Sequence, residues 1–185
     1  MRVLCPVPLT VRGMMWRVGT TEHNILAAQS NLASTYQAPG RPKALQLRQE
    51  VYSGCLKHFG EEHRETLIEA NNYALNLLHL RRFEEAKALL RKTIPVVQRV
   101  FGLIHDLTLT INVIYAEALY KDDGATLDDL REAVSTLEET DRTARRVLGG
   151  EHPLTVRVGD SLRDARAARA ARETPPRDLT EGSVK

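Results

Sequence analysis

At 185 residues, with 42% hydrophobic and 27% charged side chains, the chain is long enough for one domain with a sizeable core. Its 26 basic and 24 acidic residues leave a net charge of +2, too little for a generic polyanion binder, so nucleic acid is not an expected partner. Two cysteines without paired spacing, Cys5 and Cys55, argue against a disulfide framework or a cysteine-type zinc site, and no run approaches the roughly 20 apolar residues that span a bilayer. Pro6 and Pro8 interrupt the apolar start and no clear cleavage site follows, so a signal peptide is not expected and the chain reads as cytoplasmic.

In chain order, residues 1–17 read as a tail or as a remnant of a preceding helix. Arg12 to Val18 has the look of the last turns of such a helix, and a frayed terminus is the alternative. From residue 18 an internal repeat takes over. Phe59-Gly60-Glu61-Glu62-His63 followed by Thr66-Leu67 recurs as Phe101-Gly102-Leu103-Ile104-His105 followed by Thr108-Leu109. It returns as Leu148-Gly149-Gly150-Glu151-His152 followed by Thr155-Val156, and a weaker copy opens at Val18-Gly19, with His23 one position out of register. The glycines at 19, 60, 102 and 149 stand 41, 42 and 47 residues apart.

Each repeat holds two apolar segments of helical period. In the second repeat the first runs about Glu65 to Leu80, with Leu67, Ala70, Tyr73, Ala74, Leu77 and Leu78 close to a 3-4 spacing. Its partner runs about Phe83 to Val100, so the unit is a helical hairpin, helix A then helix B. Pro95 is expected to kink helix B or weaken one turn. The glycine after Phe59, Phe101 and Leu148 stands where a helix end favours positive φ, and Pro153 suits a first helical turn. One residue is missing near Pro39 to Pro42 and five extra lie within Lys121 to Asp129. Both changes are expected in connections between helix A and helix B, which tolerate them.

The block Gly-x-x-His-x-x-Thr-Leu, then Asn72-Tyr73-Ala74, then Phe83-Glu84-Glu85-Ala86-Lys87-Ala88-Leu89-Leu90 resembles the long tetratricopeptide repeat of kinesin light chains and nephrocystin-3-like proteins. The resemblance covers about residues 18 to 165 and is most specific from Gly60 to Phe101. It departs from the pattern at Glu22, Pro42 and Ile114. It implies an all-α, right-handed superhelix (α-solenoid) of about three tetratricopeptide-like hairpins over residues 18–173, closed by a C-terminal capping helix. That helix carries Arg163 where Ala74 and Ala116 stand earlier, and its arginines make it too polar to be sandwiched. Residues 174–185, with Pro175-Pro176, are expected to be disordered.

Four histidines, one per repeat, do not make a metal site, because successive repeats lie roughly 10 Å apart whereas ligands converge on one ion at about 2 Å. His63, His105 and His152 read instead as helix-start capping residues. The acidic pairs sit at helix starts or on solvated faces, where the helix dipole favours them. No phosphate-binding loop or nucleophile elbow occurs. No catalytic residue, metal or cofactor is therefore expected, and the chain reads as an interaction protein rather than an enzyme.

In superhelices of this kind helix A lines the concave face. The resemblance thus implies a peptide-binding set of Asn31, Asn71, Asn72, Leu75, His79, Glu117, Tyr120 and Lys121. An amide both donates and accepts, which suits a peptide bond. Asn72 has a second reading, a tie between neighbouring helices. The expected partner is a protein or peptide segment, without nucleic acid or membrane, in a setting that includes larger complexes. The competing expectation is a structural fragment of a longer array with an unused groove.

Overall fold

The computed structural model describes residues 42–174 together with Leu26 and Ala28. Among the described residues all regular structure is helical: α1 Pro42–Phe59, α2 Arg64–His79, α3 Phe83–Phe101, α4 Asp106–Tyr120, α5 Leu127–Leu148 and α6 Pro153–Glu173. The all-α class read from the period is the class observed, and α2 and α3 match the expected helix A and helix B of the second repeat to within 1 residue at each end. The tail at 1–17, most of the first repeat including Asn31, and 175–185 lie outside the described residues. Thr174 is the C-cap of α6, its N–H donating to the Ala170 carbonyl at 3.1 Å.

The chain forms two compact units, residues 1–80 and 81–185, and the division falls in the turn expected between helix A and helix B of the second repeat. In the first unit α1 packs on α2. Val51 and Cys55 of α1 close over Leu26, with Leu47 and Phe59 beside them. Gly54 makes room for this, since a Cβ there would lie 2.6 Å from a methyl of Leu26. Arg48 and Glu69, both buried, pair across α1 and α2 at 3.2 Å. Removing either partner would break a buried ion pair, a cost of about 3–5 kcal/mol.

In the second unit α4 is flanked by α3, α5 and α6. Its apolar residues accordingly run all round the helix, with Leu109, Ile111, Val113, Ile114 and Leu119 buried. Each such aliphatic burial is worth about 1.5–3 kcal/mol. Tyr115 knits three helices together: its hydroxyl accepts from Arg91 Nε of α3 at 3.0 Å and donates to Glu132 of α5 at 2.6 Å. Helix α3 runs unbroken through Pro95, which is exposed. Proline still removes the amide that would donate to the Arg91 carbonyl.

The insertion departs from the expectation that it would lie wholly in a connection. The α4–α5 connection, 121–126, is longer than the α2–α3 connection, 80–82, but α5 is also longer than α3, with 22 residues against 19. A capping box explains the added turn. Thr126 Oγ1 accepts from the Asp129 N–H at 3.1 Å while the Asp129 carboxylate accepts from the Thr126 N–H at 2.9 Å, so the helix starts earlier than repeat register would place it. The rest of the inserted loop is pinned by Asp122, which accepts from Lys87 at 3.2 Å and from the Gly124 N–H at 3.0 Å.

Candidate functional site

The recurring turn that opens each repeat is a helix-starting device. Gly60, Gly102 and Gly149 have φ of +86°, +83° and +85°. At Gly102 and Gly149 ψ is 171° and 165°, a region essentially closed to residues with a Cβ. A Cβ at these glycines would meet nothing within 4 Å, so the requirement is torsional rather than one of space. Three residues on, His63, His105 and His152 accept through Nδ1 from the N–H groups of Glu65, Leu107 and Leu154 at 3.2, 3.1 and 3.2 Å. Each Nδ1 thus serves as the acceptor of the capping bond, and capping is the job these histidines do. Phe59 stacks on the His63 ring at 4.6 Å, and Phe101 lies tilted against the His105 ring at 4.5 Å. Thr108 Oγ1 closes its turn by donating to the Gly102 carbonyl at 2.8 Å. Among the described residues no group of histidine, cysteine and carboxylate side chains is arranged to hold a metal.

Of the eight peptide-binding residues expected from sequence, four lie on α2 in the first unit. Asn71, Leu75 and His79 recur at every fourth residue along one face, with Asn72 beside them, while Ala70, Ala74 and Leu77 are buried. Asn71, Asn72 and Leu75 are half-buried and His79 is exposed. The Asn71 Oδ1 is buried and accepts from no described residue. Asn72 is held from within: its Nδ2 donates to Glu69 Oε1 at 3.3 Å, and its backbone carbonyl accepts from Asn76 Nδ2 at 2.9 Å. Through Glu69 this places Asn72 on the Arg48 network that joins α1 to α2.

Asn31 lies outside the described residues, and the remaining three, Glu117, Tyr120 and Lys121, stand at the end of α4 in the second unit. Glu117 is buried, and both its oxygens are engaged. One accepts from Lys121 at 2.9 Å, and the other from Arg157 Nη2 at 3.2 Å and Ser161 Oγ at 3.1 Å. Burial alone would raise its pKa, but the Lys121 hydrogen bond and the Arg157 charge more than offset that and hold the carboxyl below the ordinary glutamate range. Burial, with the Glu117 charge adding to it, pushes the half-buried Tyr120 phenol up to about 12. Exposed Lys121 lies 5.7 Å from the Tyr120 ring centre. Sequence reasoning missed Ser161 and cast Arg157 only as part of a polar cap. The signal for both is their place one turn apart on the face of α6 toward α4.

The buried Ile114 stands at the repeat position of Asn72, and the buried Ser161 occupies it in α6. The asparagine therefore does not recur as a half-exposed group in the second unit. The only described cysteine, Cys55, is free and buried, and burial raises its thiol to about 11, which makes it inert at neutral pH.

Residues 70–106 match the tetratricopeptide repeat family model. Two crystal structures named for Podosopora anserina kinesin light chain nearly identical TPR-like repeats share the fold. One has a TM-score of 0.70 and 24% identity over 87% of this chain and 74% of that one. The other, with a TM-score of 0.68, is also 24% identical and covers 87% and 75%. The BtubC (BKLC) structure from P. vanneervenii aligns with a TM-score of 0.56 at 16% identity, covering 95% of this chain and 77% of that one. No curated protein matches the chain. The chain has the all-α fold of a tetratricopeptide-repeat protein. Within that class its fold is similar to that of the kinesin-light-chain repeat structures. No described helix is long and apolar enough to cross a membrane.

Proposed function

We propose that the chain is a non-enzymatic interaction module that holds an extended peptide or protein segment against the A helices of its repeats. The observation that carries this reading is the strip of α2 on which the half-buried Asn71, Asn72 and Leu75 and the exposed His79 share one face. On that face the Asn71 amide can hydrogen-bond the backbone of a bound segment. Asn72 offers a second amide oxygen beside it, and Leu75 and His79 supply apolar and polar contact further along the same face. In the second unit the exposed Lys121 and the half-buried Tyr120 would add contact, with Glu117 holding Lys121 in place.

A second reading, repeats that only extend a larger assembly, is supported by the Asn72–Glu69 hydrogen bond within α2, which connects Asn72 to the Glu69–Arg48 pair between α1 and α2. One experiment separates the two. A peptide selected against the wild-type chain from a displayed random library is titrated calorimetrically into wild type, Asn71→Ala and Asn72→Ala, with melting curves for all three. Peptide binding predicts a loss of about two- to tenfold in affinity for each variant, the worth of one hydrogen bond, at unchanged melting temperature. Unchanged affinity with a lowered melting temperature for Asn72→Ala would leave the assembly reading standing and remove the groove.

A further inference from the structure

We draw no further inference here: the strongest candidate, the exposed outer face of the terminal helix α6 that runs from Val156 through Arg163 to Ala170, carries nothing because nothing in the structure shows what covers it.

Discussion

Helices α4 and α6 are two copies of the same repeat element in the same unit, and their surroundings make them different objects. Leu109 in α4 is 1% exposed and Ala116 is fully buried, whereas their repeat equivalents in α6, Val156 and Arg163, are 48% exposed and solvated. The opposite side of α6, with Thr155, Val158, Ser161, Leu162 and Ala165, is buried. Repeat position alone therefore does not fix burial. A position is core only where a neighbouring helix closes over it, and sequence adapts by placing arginine where none does. Arg163 bridges to Asp160 on its own helix and Arg166 reaches Glu138 on α5 at 2.6 Å, which keeps the outer side charged but internally neutralised.

The largest test of this contrast exchanges the residue types. Ala116→Arg forces a long charged side chain between α4 and its neighbours, with overpacking and an unpaired buried charge that together should cost several kcal/mol, about 3–5 from the stranded charge alone. Arg163→Ala should change stability by no more than about 0.5 kcal/mol, the usual range for a surface site. Chemical denaturation of both variants reads the difference directly, and equal midpoints would show that the two positions are not in different environments. The aliphatic pair gives a smaller version of the same test. Leu109→Ala should cost about 2–5 kcal/mol by leaving a cavity in a closed core, while Val156→Ala, already half in water, should fall well below that.

The same contrast shows how far sequence alone reaches. The helical period, the positive-φ glycines and the capping histidines depend on neighbours within one turn, and all three were legible. Arg163 was legible as solvated because a charge at a position that holds alanine in the earlier repeats fits a face open to water and not a closed core. Glu117 was not legible as a buried hub. Its burial depends on Arg157 and Ser161, some forty residues away, and the second repeat carries Leu75 at that position. The buried Arg48–Glu69 pair and the unit boundary at Leu80 are likewise products of packing between segments distant in sequence. The early start of α5 had a local signal within the inserted segment, the Thr126 and Asp129 pair three residues apart.

Glu117 also ties the two compared helices together, which makes acid a graded probe of their junction. Glu117, Asp122 and Asp129 are all held below their ordinary range in the folded unit. For a group with a depressed folded pKa, the stabilisation is fully present above the unfolded value, about 4, and is lost as pH falls through the folded value. The second unit should therefore lose stability below about pH 4 and show no such loss from these groups between about pH 5 and 8. Glu117→Gln keeps the shape but removes the titrating charge. It should lower stability at neutral pH and flatten the acid limb, so that the variant and wild type converge as pH falls. Curves that stay parallel down to about pH 2 would mean that the Lys121 and Arg157 contacts contribute nothing through the carboxylate charge.

The smallest expected effect concerns how α4 and α6 begin. Both are capped by a histidine Nδ1, but His105 also lies against the tilted Phe101 ring, whereas the residue before the α6 turn is Leu148, which offers His152 no ring. Replacing either histidine by alanine removes the cap, typically about 1 kcal/mol. Asparagine is as good a cap as any residue, so His152→Asn should be nearly neutral. His105→Asn keeps the capping bond but gives up the ring contact, worth about 0.5–1.5 kcal/mol for a well-placed aromatic pair, and should stay measurably destabilised. Differential scanning calorimetry on the two asparagine variants isolates that ring contribution, because the cap is common to both. If both variants melt with wild type, the phenylalanine ring adds nothing to the cap. If both are destabilised equally, the imidazole contributes something beyond its Nδ1 acceptor that the two helix starts share.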